Sequence, residues 1–237
     1  MLDPRDNTVV AMTSHPSFDP IAFVTGLPAA EGARMLSDPR RPFMNRALAA
    51  TYPPGSTFKV ITAAAGLERG GYTAASRFPC PPVWFGLGPA APKNNWNKVD
   101  EGALTIAEGL MRSCNPVFYD IALRLDGIDA NILPSFAAGF GLGRSTGING
   151  LDDAAGIDPN PDWKKKQVGE AWFSGDSVNM GIGQGFSPPR RSRWRTCTAP
   201  SPRAARCGRR CWCASCARRA RTASCSGSRR RNWAACR

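Results

Sequence analysis

The sequence predicts an α+β domain over residues 1–186 and a separate tail over residues 187–237 that forms no stable fold. Three observations support this division: a strand pattern near the start of the chain, apolar patterns of helical period further along it, and an abrupt change of composition after residue 186. Both strand and helix patterns occur within residues 1–186, so this part of the chain is predicted to contain both kinds of element.

The first predicted elements are a turn, a strand and a helix. Residues 3–7 (DPRDN) have the composition of a turn, and residues 8–13 (TVVAMT) have that of a strand ending at a proline-rich segment. No element is assigned to residues 20–46. A helix is predicted at 56–68, because apolar residues continue through it and two glycines follow as a stop signal.

The later part of the domain is predicted to be mainly helical. The predicted helices span 105–112, 116–125 and 132–147. Residues 77–100 are rich in Pro, Gly, Asn and Trp and predict an irregular loop, and residues 183–185 predict a tight turn. The helix at 116–125 has Asn115 as its N-cap and Pro116 in its first turn.

The positive charge and the cysteines are concentrated in the tail. The formal net charge is +13, yet the first 186 residues hold 16 Lys and Arg against all 18 acidic residues, whereas the tail holds 15 Arg and no acid. Seven of the nine cysteines lie in the tail, which contains no Leu, Ile, Val, Met, Phe or Tyr. We expect it to be disordered, because it cannot bury enough apolar surface to offset the entropy cost of folding.

Several classes of segment and site are excluded by composition. No run of 18 or more apolar residues is present, so no membrane-spanning helix is encoded. The start, MLDPRDNTVV, lacks the basic leader and apolar core of a signal peptide. With His15 as the single histidine, neither a histidine-based triad nor a multi-histidine metal site can form.

The segment YPPGSTFKVITAAAGLE places a lysine in the first turn of an apolar helix. At ~100° per residue, Ser56, Lys59, Val60, Ala63 and Leu67 share one side of this helix. Burial and the positive N-terminal end of the helix dipole both favour the neutral amine. Because a neutral amine one turn from a hydroxyl can accept its proton, the pattern indicates a serine nucleophile with a lysine base.

A purely structural interpretation of the same residues is available. Ser56 would cap the helix, and Lys59 would extend to water with its aliphatic stem packed. The surrounding sequence favours the functional interpretation, because the segment PPGSTFK leads into a long apolar helix and Ser-Cys-Asn follows at 113–115.

These motifs resemble those of class B penicillin-binding proteins. Ser-x-x-Lys, a Ser-x-Asn type motif and Lys-Thr-Gly mark penicillin-binding proteins and class A β-lactamases. The resemblance covers about residues 2–186, through LDPRDNTVVAMTSHPSFDP, NRALAATYPPGSTFKVITAAAGLE, EGLMRSCNPVFYDIAL and GDSVNMGIGQG. It implies an elongation-type transpeptidase domain with the β-lactamase/transpeptidase-like (penicilloyl-serine transferase) fold, in which helices pack against an antiparallel sheet.

The resemblance implies a role for each site residue. Ser56 would be the acylated nucleophile, Lys59 its base, and Ser113 the relay that passes the proton to the leaving group. Asn115 would hydrogen-bond the peptide substrate in addition to capping its helix. Cys114 is interpreted as a small buried apolar residue. No metal or cofactor is implied.

The resemblance also implies a substrate, partners and a location. Ser56 would attack the penultimate D-Ala carbonyl of a peptidoglycan stem peptide ending in D-Ala-D-Ala, and β-lactam antibiotics would acylate the same serine. The full-length parent would work with membrane proteins of the elongation machinery at the outer face of the bacterial cytoplasmic membrane, in the cell envelope. No specific nucleic-acid partner is expected.

Two features depart from the family pattern. Lys-Thr-Gly occurs nowhere, although in the family it lines the cleft and its following backbone supplies the second oxyanion donor. The resemblance ends at residue 186, and the Arg- and Cys-rich sequence beyond it is typical of GC-rich coding DNA read in a shifted frame. We therefore expect an incomplete sheet, an out-of-frame tail, and a fragment lacking the family's membrane anchor and stalk domain. Labelling by penicillin should be weak or absent.

Other functions remain open from the sequence. A serine β-lactamase or a β-lactam sensor domain also uses Ser-x-x-Lys. Alternatively, the chain is a catalytically dead pseudogene product whose Arg-rich tail binds polyanions by simple electrostatics. A zinc site is disfavoured, because the spacing of the clustered tail cysteines does not form two Cys-x-x-Cys pairs. These are Cys207, Cys211, Cys213 and Cys216.

Overall fold

The computed structural model describes residues 1–148 and 153–185, and the predicted α+β class is confirmed in these residues. The α-helices are α1 (Ile21–Thr25), α2 (Ala29–Ser37), α3 (Lys59–Arg69), α4 (Ile106–Arg112), α5 (Asn115–Ile128), α6 (Ile132–Gly139), α7 (Pro161–Gln167) and α8 (Ser174–Met180). The strands are β1 (Arg77–Pro79), β2 (Val83–Trp84), β3 (Lys93–Asn94) and β4 (Ala103–Thr105). β1 pairs with β4 and β2 pairs with β3, both antiparallel.

The main core lies where α3, α5, α6 and α8 meet. α5 is the central helix of this core, because it packs against α3, α6 and α8. The apolar side chains on its inward face are fully buried and stabilise the fold by leaving water. These side chains are Val117, Phe118, Ile121, Ala122 and Leu125.

A glycine and a threonine set the packing of α3. Gly66 lets α3 approach α5 closely, because a Cβ at this position would lie 2.6 Å from Ile121 Cγ2. The buried Thr62 hydroxyl donates to the carbonyl of Gly181, at 2.8 Å, and so connects α3 to the chain just after α8. This contact satisfies a buried polar group and fixes the segment after α8 relative to α3.

The helix predicted at 56–68 differs from the observed one at its start and in its burial. A 3-10 turn spans Gly55–Phe58, and α3 begins only at Lys59. Of the residues assigned to one side of this helix, Lys59 and Ala63 are buried, but Val60 and Leu67 are 56% and 41% exposed. That side is therefore only partly buried, because the buried stripe of α3 is narrower than its apolar composition suggests.

The predicted helices around the Ser-Cys-Asn motif are present with changed ends. α4 begins after Thr105, whose side chain accepts from Glu108 N–H in a capping box. α5 is longer than predicted at both ends, and its N-cap is Cys114 rather than Asn115, which is the first helical residue. The helix predicted at 132–147 ends at Gly139, because positive-φ glycines follow it.

The N-terminal strand and the central loop were predicted incorrectly. Residues 8–13 are exposed, and the β structure there is limited to an isolated bridge between Leu2 and Val9. A strand is stable only beside a partner, and the pairing of this segment is short: besides that bridge, it has backbone hydrogen bonds with Met1 and Asp3. Conversely, the segment expected to be an irregular loop at 77–100 contains β1, β2 and β3, and residues 20–46 contain α1 and α2.

Some predictions fall outside the described residues. The predictions of a disordered, out-of-frame tail and of zinc or polyanion binding by it concern residues 187–237, which lie outside the described residues, as does residue 186. Among the described helices, none combines the length and the apolar character needed to cross a membrane.

Candidate active site

Ser56 lies on the 3-10 turn that precedes α3, and its side chain is exposed. The tight turn has three residues per turn, so side chains three positions apart lie almost directly above one another. Lys59, which donates its backbone N–H to the Ser56 carbonyl, therefore starts α3 on the same side as Ser56. The predicted pairing of the two residues follows from this turn rather than from an α-helix.

The Lys59 side chain is buried and fully hydrogen-bonded. It is 1% exposed, and its Nζ donates to the Ser113 carbonyl at 2.7 Å, to Ser113 Oγ at 3.1 Å and to Asn115 Oδ1 at 2.7 Å. Nζ also lies 5.4 Å from the centre of the Phe118 ring. The amine is thus enclosed by the Ser113–Asn115 turn on one side and an aromatic face on the other.

Burial lowers the pKa of the Lys59 ammonium from 10.5 to about 8. The direction agrees with the sequence prediction, because removing a cation from water favours its neutral form. With this pKa, about one-tenth of the Lys59 amines are neutral at pH 7. The site therefore holds a lysine that can release and accept a proton near neutral pH.

Ser113 joins Lys59 to Ser56. Its Oγ lies 3.0 Å from Ser56 Oγ and 3.1 Å from Lys59 Nζ. Lys59 Nζ makes its hydrogen bonds to Ser113 and Asn115 in the described structure, so its connection to the Ser56 hydroxyl runs through Ser113. In this geometry the two side chains are therefore connected by two successive hydrogen-bond distances, Ser56 Oγ to Ser113 Oγ and Ser113 Oγ to Lys59 Nζ.

The turn between α4 and α5 aims both Ser113 and Asn115 at Lys59. Ser113 has φ 53° and ψ 33°, a left-handed conformation that is uncommon for a non-glycine residue and ends α4 abruptly. Asn115 is not the helix cap that the sequence predicted, and its Oδ1 accepts from Lys59 instead. The side chain is consequently directed into the site.

Cys114, at the middle of this turn, forms a disulfide with Cys80. The interpretation of Cys114 as a simple buried apolar residue is therefore wrong, although it is indeed fully buried. The bond crosses 34 residues and ties the turn to the chain after β1. Cys80 and Cys114 are the only two cysteines in the first 186 residues, but nothing in the sequence around them indicates that they meet.

A cleft with a volume of about 430 Å³ opens at Ser56. Its lining residues are Ser56, Trp96, Ser113, Asn115, Ile182 and Gln184. We call it the Ser56 cleft. Three of these residues were missed from the sequence. Trp96 belongs to the segment predicted to be a loop, and Ile182 and Gln184 flank a glycine of the predicted tight turn.

The turn predicted at 183–185 begins earlier, at 181–183, and its last residue, Gly183, packs directly against the 3-10 turn that holds Ser56. Gly183 has φ 67°, and a Cβ there would lie 2.4 Å from the Gly55 carbonyl oxygen. The Gly55 N–H donates to the Gly183 carbonyl at 3.1 Å. Only glycine satisfies both the positive φ and this approach, so the turn explains why the GIGQG segment lies beside Ser56.

This geometry has the chemical capacity of a serine acyl-transfer site that works without histidine. It offers an exposed hydroxyl, a second hydroxyl as a proton relay and a buried amine with a lowered pKa. Within the described residues, no three His, Cys, Asp or Glu side chains are grouped so as to hold a metal ion.

The chain belongs to the family described as the penicillin binding protein transpeptidase domain, which matches residues 1–190. It is 35% identical over 184 residues to the peptidoglycan D,D-transpeptidase MrdA of Escherichia coli K12, covering 78% of this chain and 29% of that protein. The chain thus spans less than a third of the length of this relative.

Solved structures of similar proteins have the same fold. The Helicobacter pylori penicillin-binding protein PBP2, solved as a complex with MreC, has a TM-score of 0.68 at 28% identity, over 73% of this chain and 32% of that one. A ceftriaxone acyl-enzyme complex of Mycobacterium tuberculosis penicillin-binding protein A has a TM-score of 0.62 at 30% identity, over 86% and 42% of the two chains.

Proposed function

We propose that this chain carries the nucleophile half of a peptidoglycan D,D-transpeptidase site, with Ser56 as the acylated residue. The observation that carries the proposal is the continuous path from Ser56 Oγ through Ser113 Oγ to Lys59 Nζ, with steps of 3.0 and 3.1 Å. Both steps are within hydrogen-bonding distance, so a proton can pass along them without a large movement.

The reaction follows from this path. As Ser56 Oγ forms a bond to the penultimate D-Ala carbonyl carbon of a stem peptide, its proton passes to Ser113 Oγ, and the Ser113 proton passes to neutral Lys59. The tetrahedral intermediate collapses when the bond to the terminal D-Ala nitrogen breaks, and Ser113 returns a proton to that nitrogen. An amine of a neighbouring stem peptide, or water, then attacks the ester and frees Ser56.

The proposed role of Asn115 is to bind the peptide backbone of the substrate at the rim of the Ser56 cleft. Its Oδ1 accepts from Lys59 Nζ, and its side chain also hydrogen-bonds Tyr119. Because an amide NH₂ group has two donor hydrogens, it can still donate to a group in the cleft that Asn115 lines. Asn115 would therefore both hold Lys59 and donate to a substrate carbonyl.

β-Lactams are the second proposed class of ligand. The strained lactam carbonyl takes the place of the D-Ala carbonyl, and opening of the ring leaves an acyl group on Ser56. The M. tuberculosis relative with a ceftriaxone acyl-enzyme supports this proposal. In the complete protein we propose D-Ala-D-Ala stem peptides as substrate, elongation-machinery membrane proteins as partners, in line with the H. pylori complex with MreC, and a location at the outer face of the cytoplasmic membrane.

The absence of Lys-Thr-Gly limits the rate that we expect. The Ser56 N–H would serve as one oxyanion donor, whereas the Lys-Thr-Gly motif, whose following backbone would supply the second donor, does not occur in the sequence. Loss of one such donor typically costs ~10²–10³ in turnover. The chain should therefore acylate slowly.

The test is acylation of the full chain by a fluorescent penicillin, followed by intact mass and peptide mapping beside complete E. coli MrdA. We expect a slow adduct on the Ser56 peptide, ~10²–10³ below the relative. It should vanish in Ser56→Ala and persist in Ser135→Ala, which removes an exposed hydroxyl from α6.

Three results would contradict the proposal. The sequence alone allowed weak or absent labelling, but the proposed site requires weak labelling, so a folded chain that never forms a Ser56 adduct would refute the site. An adduct formed as fast as in the relative would refute the argument about the missing donor. Rapid turnover of a chromogenic cephalosporin would instead support a β-lactamase.

A further inference from the structure

Asn95 is a buried polar residue beside the Ser56 cleft with no part in the proposed reaction. It is 2% exposed and follows β3 directly. Its backbone N–H donates to the Pro82 carbonyl at 2.8 Å, which fixes its position next to β2. A side-chain amide in such a place is costly unless it forms hydrogen bonds, so its partners indicate what it does.

The Asn95 side chain supplies the start of α5 with an acceptor. The first N–H groups of a helix have no partner within it, and Cys114, the N-cap, provides no side-chain hydrogen bond. Asn95 Oδ1 accepts from the Asn115 N–H at 3.1 Å. The cap of α5 therefore comes from a residue 20 positions earlier in the chain.

This external cap leaves the Asn115 side chain free for the site. An asparagine at the start of a helix commonly uses its own oxygen to satisfy nearby backbone N–H groups. Here Asn115 Oδ1 accepts from Lys59 Nζ at 2.7 Å, while its N–H is held by Asn95. Asn95 does not contact Lys59 itself, but it holds the backbone of Asn115, whose Oδ1 accepts from Lys59.

Asn95 also holds the cleft wall and contacts the disulfide. Its Oδ1 accepts a second hydrogen bond from the Trp96 N–H at 3.0 Å, and Trp96 lines the Ser56 cleft. Its Nδ2 lies 3.5 Å from Cys80 Sγ, the disulfide partner of Cys114. The buried Asn95 amide therefore contacts the backbone N–H of Asn115, the backbone N–H of Trp96 and the sulfur of Cys80.

We propose that Asn95 is a positioning residue that holds Asn115 against Lys59 Nζ and holds Trp96 at the Ser56 cleft. The proposal rests on the proposed function for its meaning in the reaction, but its geometric content concerns Lys59 and Asn115 alone. It can therefore be tested without any acylation.

The test is the titration of Lys59 in the full chain. The sequence contains six lysines, so a chain labelled with ¹³Cε-lysine gives few signals, and Lys59→Arg identifies the one from Lys59. The pKa of Lys59 in the unaltered chain is expected at about 8. In Asn95→Ala, the Asn115 acceptor is released, and the pKa of Lys59 should fall by about one further pH unit, because the ammonium loses a hydrogen bond.

Two variants separate positioning from general stability. Asn95→Asp keeps an acceptor oxygen for the Asn115 N–H, and its added negative charge favours the ammonium, so the pKa of Lys59 should not fall. Asn94→Ala removes an exposed asparagine from the adjacent position and should leave the Lys59 titration unchanged. An unchanged or raised Lys59 pKa in Asn95→Ala, or the same fall in Asn94→Ala, would overturn the proposal.

A second measurement keeps the proposal testable if Asn95→Ala does not fold. In the unaltered chain, the Asn115 amide should exchange with deuterium as slowly as amides inside α5, because it donates to a buried acceptor. Exchange as fast as that of an uncapped first helical turn would refute the proposal. A fall of the Lys59 pKa in Asn95→Ala, in a chain that forms no Ser56 adduct, would support the positioning role of Asn95 and refute the proposed function. A Ser56 adduct without that fall would support the proposed function and refute the positioning role.

Discussion

The buried amine of Lys59 makes the stability of this protein depend on pH in a way that can be isolated. Its pKa is lowered from 10.5 to about 8 by burial. Between these two values the unfolded chain binds more protons than the folded chain, so the free energy of unfolding rises with pH across that window. Below about pH 8 the fold carries the full cost of burying the ammonium, about 3 kcal/mol.

The substitution Lys59→Met tests this magnitude, because it keeps a long unbranched side chain and removes the titration. The free energy of unfolding of the unaltered chain minus that of the variant should rise by about 1.4 kcal/mol per pH unit above pH 8. Taking the difference cancels the other groups that titrate at high pH, including Tyr72 and Tyr119, whose pKa values burial raises.

The assay is urea unfolding followed by circular dichroism at pH 7, 8, 9 and 10. Free cysteines are alkylated beforehand without reductant, so that the Cys80–Cys114 disulfide stays intact. A difference that stays constant from pH 7 to pH 10 would refute the reasoning, because Lys59 would then titrate alike in the folded and unfolded chains.

Three further predictions concern the surroundings of Lys59. Ser113→Gly should lower the Ser56 acylation rate by ~10²–10⁴ while leaving the fold at least as stable in urea, because it removes the relay hydroxyl and relieves a φ of 53°; an unchanged rate would exclude the relay. Reduction of Cys80–Cys114, which spans 34 residues, should lower the free energy of unfolding by about 3–4 kcal/mol, and equal urea midpoints with and without reductant would contradict this. Gly183→Ala should abolish acylation and destabilise the fold more than Gly71→Ala, since both glycines have positive φ but Gly71 has open space around its Cα; equal urea midpoints for the two variants would show that close packing at Gly183 is unimportant.

The candidate site residues that could be recognised from the sequence belong to two short motifs, within which the residues are close together along the chain. Ser56 and Lys59 lie one turn apart in any helical conformation, and Ser113 and Asn115 share one three-residue motif. The distance between the two motifs, by contrast, follows from tertiary packing. Periodicity alone could not show that Lys59 reaches the second motif before it reaches Ser56.

The residues that sequence reasoning missed act through contacts between distant segments. Asn95 is one of three asparagines within a segment of irregular composition, and nothing local marks it as buried. The Cys80–Cys114 pairing likewise depends on β1 lying beside the start of α5. α2, by contrast, was missed although its sequence carries local helix signals: Pro28 before it, Glu31 in its first turn and Arg34 in its last turn. These signals were present in the sequence but were not recognised.

The strand predicted at residues 8–13 is an element that the sequence indicated but that the structure contains only as an isolated bridge. Its β-branched content is typical of a strand, but a strand is defined by hydrogen bonds to a neighbour that its own sequence does not specify. Helices carry their hydrogen bonds within themselves, so the predicted helices at 105–112 and 116–125 were close to the observed α4 and α5.

The most direct test of the proposed relay is the pH dependence of Ser56 acylation, measured as a second-order rate constant between pH 6 and 9.5. If neutral Lys59 accepts the proton through Ser113, the rate should rise about fivefold from pH 7 to 8 and less than about twofold from 8 to 9, following a pKa of about 8. A rate that does not change with pH, or one that still rises about tenfold per unit above pH 9, would contradict the account.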